Sequence, residues 1–345
     1  MNAGEATPRG SSPMKPNIAL VIGDPAGIGP ELVVKLLADA AAQQGKIYLI
    51  GSRTVLADAM RETGIQIKLP VVAPGDINDT DRAGPSLVDW PGIDASGFER
   101  GRAKADNGRY MLDLLTLGAQ LTQRGVTDAL CFAPLNKGAL RAGGMQQQDE
   151  LRWFEDLLGC HGYTGELNVL DTLWTSRVTS HVALKDVSGL LTAEGVADAA
   201  RLITDSLRAA GKAAPRVAVC GLNPHNGDNG NYGREEGDII EPGIALARAR
   251  GCAVDGPFPA DTIFVRARNG QYDGVVTMYH DQGQIAMKLM GFERGVTVQG
   301  GLPIAVTTPA HGTAYDIAGH GIAHVGAMRN AFELACRLGS ARNRQ

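Results

Sequence analysis

Short β-branched apolar runs alternate with Ala- and Leu-rich stretches of helical period along most of the chain, and that alternation leaves few folds open. Strands that are each followed by a helix pair in parallel and bury both faces of their sheet, so the pattern specifies an α/β protein with a largely parallel sheet. Strands are expected at 18–22, 46–50, 128–132, 177–184, 216–221, 274–279 and 304–307, and helices at 31–42, 104–124, 192–210 and 326–339. The stretch 70–101, rich in Pro, Gly and Asp, reads as loops with short strands. A chain of 345 residues has room for two domains of ordinary size.

Composition narrows the function. A net charge of −4 argues against nucleic acid and anionic membranes as partners. No apolar run reaches the roughly 18 residues that span a bilayer. The five cysteines (Cys131, Cys160, Cys220, Cys252, Cys336) show no CxxC spacing, which argues against a disulfide framework or a thiolate zinc site and fits a reducing cytoplasm. Residues 1–15 are polar and read as a disordered leader, not a secretion signal. Aromatics are only 5% against 45 glycines, so backbone loops are expected to meet the ligand.

Three of the seven histidines share a context. His181 lies in the strand-like RVTSHVAL, His225 follows AVCGLNP and His280 follows GVVTMY. In open α/β sheets ligands gather beyond the carboxyl ends of strands, and imidazole is a good ligand for zinc or a similar divalent ion. Each histidine alone also reads as a surface or hydrogen-bonded group, and no HExxH spacing decides the matter.

Two glycine-rich loops stand out. GDPAGIGPE, at 23–31, joins a strand to a helix but is neither GxGxxG nor a P-loop; a tight turn with a Pro-started helix explains it equally well. HGTAYDIAGHG, at 311–321, is more specific. Its glycines permit close backbone approach, while His311, Thr313 and Asp316 offer hydrogen bonds.

Taken in order, GDPAGIGPE, NPHNGDNGNYGREE, YHDQGQIAMK, GFERGV and HGTAYDIAGHG resemble the 4-hydroxythreonine-4-phosphate dehydrogenase family of vitamin B6 biosynthesis, from about residue 16 onward. The first and last blocks also echo the isocitrate and isopropylmalate dehydrogenases, which bind NAD(P) without GxGxxG. The resemblance implies two α/β domains around a central cleft, isopropylmalate-dehydrogenase-like. Residues 16–140 with 293–345 would carry the cofactor loops, and 141–292 the metal ligands and dimer interface. It further implies a homodimer with a shared site and one divalent metal (Zn, Mg, Mn or Co) on His181, His225 and His280. NAD or NADP is placed against His311, Gly312, Thr313, Ala314, Asp316 and Gly319.

The substrate contacts depart from the family pattern. Asp149-Glu150-Leu151-Arg152 stands where phosphate-binding members carry Gly-His-Thr-Glu; Thr297 replaces an Asn and Val306 an Arg, while Lys288 is kept. A phosphate carries close to two negative charges and is normally met by Arg, His or backbone amides. The expectation is therefore a side branch of the family, acting on a dihydrodiol carboxylate or a sugar acid, with the vitamin B6 reaction as the alternative. The implied chemistry is oxidation of a secondary alcohol near a carboxylate, followed by loss of CO2. Lys288 is the expected carboxylate contact or proton donor, and Asp281 and Asp261 are carboxylates that orient ligands or bind substrate. Asp24 and Asn136 are further cleft candidates. Two rival classes remain: a metal-dependent hydrolase or lyase using the same histidines, and a non-catalytic sugar-acid binding protein.

Overall fold

The computed structural model describes residues 15–73, 76–77, 84–91 and 97–342. The expected leader, Lys15 apart, and part of the 70–101 stretch lie outside the described residues. In the first part of the chain the strands are β1 Asn17–Val21, β2 Lys46–Gly51, β3 Val71–Val72, β4 Ser86–Asp89 and β5 Ala129–Phe132. Helices α1 Gly29–Leu37, α2 Arg53–Thr63 and α3 Ala105–Gln123 lie between them. Two short helices, α4 Lys137–Ala142 and α5 Glu150–Leu158, lead into a hairpin of β6 Gly165–Leu170 and β7 Leu173–Arg177. Next come α6 Val187–Leu190, α7 Ala193–Ala209, β8 Val217–Cys220, α8 Glu241–Ala249, β9 Val254–Phe258, α9 Ala260–Arg268 and β10 Gly274–Thr277. The chain closes with α10 His280–Gly291, β11 Val296–Gly300, β12 Ala305–Pro309 and α11 Gly326–Arg342.

Among the described residues, twelve strands join one sheet in the order β3-β4-β2-β1-β5-β12-β11-β6-β7-β10-β8-β9. The block from β3 to β12 is parallel throughout, and so is the block from β7 to β9. Between them β11 and β6 run antiparallel to their neighbours, which makes a seam in the middle of the sheet. The central parallel strands β5, β8 and β10 are buried from end to end, and β1 is buried beyond its first residue, as helices on both faces require, and that is why they read as uninterrupted apolar runs.

Two expectations shift. The strand expected at 177–184 is instead β7, because Trp174–Arg177 pairs in register with β10. Beyond Arg177 the chain turns: Thr179 N bonds to the Met278 carbonyl and Val182 N turns back to Ser180. His181 therefore sits past a strand end. The helix expected at 31–42 stops at Leu37, after which Asp39 caps a 3-10 turn over Ala40–Gln44. Among the described residues no helix is long and apolar enough to cross a membrane.

Candidate functional site

The seam carries the site. A cavity of roughly 210 Å³ is lined by Glu166, Asn168, Val169 and Leu170 of β6, Thr297 of β11, and His280, Gln284, Met287 and Lys288 of α10, together with Lys137 and His181. His280 opens α10 directly after β10, and Lys288 follows eight residues along the same helix, so two turns bring both to one face. His181 and His280 lie side by side, their ring centroids 6.0 Å apart.

Each of these imidazoles is held by a carboxylate. Asp149 Oδ2 lies 3.2 Å from His181 Nδ1, while its Oδ1 accepts the Arg152 N–H and caps α5. Asp281 Oδ1 lies 2.6 Å from His280 Nδ1. A carboxylate at Nδ1 fixes the tautomer with the proton there and leaves the Nε2 lone pair as the ligating atom, the usual arrangement behind a metal-bound histidine. The donor chemistry thus fits a divalent ion at His181 and His280. His225 stands apart: it is exposed, its ring neighbour is Tyr232, and it lies outside the cavity. Among the described residues no group of three or more His, Cys, Asp or Glu could hold a metal ion within one chain.

Of the other expected residues, Lys288 and Thr297 line the cavity. Glu150 is buried behind it with Lys137 Nζ 3.9 Å away. Burial raises its carboxyl above the ordinary range against the pull of Lys137, and Glu166 and Asp149 push the same way as burial. Leu151 and Val306 are buried in packing, Val306 completely, and neither lines the cavity. Arg152 is taken up by Glu155 and Thr164 Oγ1, and Asp261 is exposed on the first turn of α9, off the cavity. Lys137, Glu166, Asn168 and Gln284 were not anticipated. The signal was present at β6, where polar Glu166 and Asn168 recur every second residue beside buried Leu167 and Val169, marking one polar face of a strand.

The loop expected to receive the cofactor starts at the cavity's edge, since Ala310 lines the cavity and His311 follows it. His311 Nδ1 donates to the Gly312 carbonyl, and burial pulls its pKa below the ordinary value against that bond. Thr313 is buried and its carbonyl accepts the Ile28 N–H, so this loop is docked on the other glycine loop. Gly27 is required there because a Cβ would come within 2.8 Å of the Thr313 side chain. Tyr315 Oη donates to Asp24 Oδ2 at 2.6 Å, and Asp24 Oδ1 accepts the Ala26 N–H. Ala314 takes a left-handed φ of 41°, as does Gly319 at 84°. Gly312 and Asp316 are exposed, and a Cβ on Gly312 would meet open space.

The model of the family described as "Pyridoxal phosphate biosynthetic protein PdxA" matches residues 43–335. The chain belongs to this family. A Pseudomonas aeruginosa protein named "Putative 4-hydroxythreonine-4-phosphate dehydrogenase 2" is 54% identical over 332 residues, which cover 95% of this chain and 98% of that one. The crystal structure of 4-hydroxythreonine-4-phosphate dehydrogenase from Klebsiella pneumoniae aligns with a TM-score of 0.83 at 33% identity, covering 96% of this chain and 100% of its own. A terephthalate 1,2-cis-dihydrodiol dehydrogenase from Burkholderia xenovorans aligns at 0.66 and 30% identity, covering 93% and 98%. These neighbours make this PdxA-family chain an oxidoreductase of α/β dehydrogenase fold.

Proposed function

We propose that this PdxA-family chain is a divalent-metal-dependent, NAD(P)-linked dehydrogenase that oxidises a secondary alcohol near a carboxylate and releases CO2, on a substrate other than 4-phosphohydroxythreonine. The observation that carries the reading is the pair His181 and His280, each with Nδ1 held by a carboxylate, in one cavity with Lys288. In this reading His181 and His280 hold the metal, and His225 completes the set from a second copy in a homodimer. A divalent ion such as Zn, Mg, Mn or Co supplies a Lewis acid for the alcohol and carbonyl oxygens. Hydride acceptance is the chemistry that NAD or NADP supplies.

The chain's own residues do the rest. Asp149 and Asp281 keep the two imidazoles oriented and their Nε2 atoms deprotonated. Lys288 binds the substrate carboxylate, and its Nζ returns a proton to the product carbon after CO2 leaves. Exposed Gly312 and the backbone beside it receive the dinucleotide. Glu166 lines this side of the cleft, and its carboxylate offers a phosphate dianion no hydrogen-bond donor. Terephthalate dihydrodiol, the substrate in the name of one structural relative, carries no phosphate.

Thermal melts with NAD or NADP and zinc, manganese, magnesium or cobalt test the reading. A dinucleotide and a metal should each raise Tm, and a carboxylated diol or hydroxy acid should then reduce the dinucleotide. Absence of any Tm shift with NAD or NADP, while metal still stabilises, would favour a hydrolase or lyase.

A further inference from the structure

We propose that Glu166, held by Arg177, selects the substrate: it favours a carboxylic acid with free hydroxyl groups over the same acid bearing a phosphate. This deepens the dehydrogenase reading above and rests on it.

The argument starts from the β6–β7 hairpin. Asn168 pairs with Thr175 across it, and continuing that antiparallel register sets Arg177 opposite Glu166. Arg177 Nη2 bonds to Glu166 Oε2, its Nη1 donates to Asn168 Oδ1 at 3.0 Å and its Nε to Ser180 Oγ at 2.9 Å. The Arg177 side chain is only 6% exposed, so it reaches no ligand itself. Its guanidinium is spent on fixing two cavity-lining groups, Glu166 and Asn168, and Ser180 beside His181, which makes it a positioning residue.

The same network continues across the floor. Gln284 Nε2 of α10 donates to Asn168 Oδ1 at 2.6 Å, and Asn168 Nδ2 donates to Thr297 Oγ1 at 3.4 Å. Asn168 sits directly opposite Thr297 in the β6–β11 register. With Oδ1 accepting twice, the orientation of the Asn168 amide is fixed. Thr297 Oγ1 accepts from Asn168, so its own hydroxyl proton is left to donate to a bound oxygen.

Glu166 and Asn168 line the cavity, so this floor is a contact surface. Glu166 Oε2 is occupied by Arg177, and no hydrogen bond among the described residues takes Oε1. A carboxylate oxygen can only accept, and the partner that suits it is a hydroxyl. A phosphate offers only acceptor oxygens, so Lys137 and Lys288 could meet it in this cavity, but the Glu166 carboxylate gives it no donor and only like charge. An apolar ring would leave the Glu166 and Asn168 polar atoms desolvated and unpaired. The floor therefore fits a hydroxylated chain better than either.

Threonate and threonate 4-phosphate differ only by the phosphate on the far hydroxyl, and their kcat/KM values with NAD or NADP make the test. The wild type should favour threonate by about tenfold or more, one to two decades being the usual worth of one charge-assisted contact. E166Q keeps the side chain's shape and its bond to Arg177 while removing the charge; it should cut that preference at least about fivefold, through KM and not kcat. E166M/R177L removes both charges together, so that neither is left buried without its partner, and should abolish the preference while Tm stays within a few degrees. Calorimetric titration of both acids, with manganese and dinucleotide present, should show the same order without turnover. A wild type that reduces NAD(P) yet favours the phosphate overturns the assignment alone, as does an unchanged preference in both variants. A wild type that reduces neither dinucleotide with any hydroxy acid overturns the dehydrogenase reading, and this assignment with it.

Discussion

Asp149 does two things with its two oxygens: one caps α5, and the other orients His181. The two can be separated. D149N keeps an oxygen for the cap and loses the anion, whereas D149A loses both. D149N should hold Tm near the wild-type value and weaken metal binding by about 10–100-fold, while D149A should lose roughly 1 kcal/mol of stability besides. Metal competition titrations and melts check the pair, and wild-type metal affinity in D149N would remove Asp149 from the site. Single alanine variants of His181, His225 and His280 complete the check, since full metal content in any of them excludes that residue. At this scale the sequence was partly legible. Lys288 and Thr297, named from the sequence, line the cavity, but Asp149 read only as part of the stretch that departs from the phosphate-binding pattern, because its partner lies 32 positions away and no local pattern encodes that pairing. Val306 illustrates the opposite limit: a strand position that a longer polar residue would extend from is simply core when Val occupies it.

The two glycine loops behave as one element, tied by Tyr315 to Asp24 and by Ile28 to Thr313. Their docking was not legible, since neither loop carries a periodic pattern that names the other. Gly312 separates cofactor contact from packing: its Cβ would meet no protein atom, so G312V should leave Tm unchanged and weaken NAD(P) binding tenfold or more by blocking its approach. Unchanged dinucleotide affinity in fluorescence titration would count against the loop assignment. Y315F instead strips a donor from buried Asp24 and should cost about 1–3 kcal/mol. Asp24 also predicts a pH signature. Burial raises its carboxyl above the ordinary value, against Tyr315, Ala26 and Arg100. A raised acid favours the folded state when protonated, so its contribution is full below the unfolded pKa and fades as pH rises through the folded one. The stability of wild type relative to D24N should fall as pH rises through that window and level off above it, which melts across pH would show.

At the scale of the whole molecule the parallel sheet was legible because strands buried on both faces must be apolar throughout, and such runs are easy to see. The antiparallel seam was not: β6 and β11 interleave polar and apolar residues, since one face lines the cavity. That seam explains why the site lies mid-sheet, and it leaves one question for the assembly. His181 and His280 share the cavity, but exposed His225 lies outside it, so the three-histidine site proposed above needs a second copy to complete it. The surface near the histidines agrees with that. Leu184 is 70% exposed a turn beyond His181, Leu289 is 84% exposed on the helix that His280 opens, and Ile285 and Tyr232 are exposed as well. Covering each such large apolar side chain is worth about 1.5–3 kcal/mol, enough that several together favour association. A metal held between two copies binds only the dimer, so metal and assembly must be linked. Sedimentation should show a dimer whose dissociation constant rises at least tenfold when a chelator strips the metal. L289E should push the protein toward monomer and lower its metal affinity, although Leu289 itself ligates nothing. H225A should lower metal affinity while the apolar contacts keep a weaker dimer. A monomer with full metal content and full activity at assay concentration would rule out the shared site and leave His181 and His280 to serve within one chain.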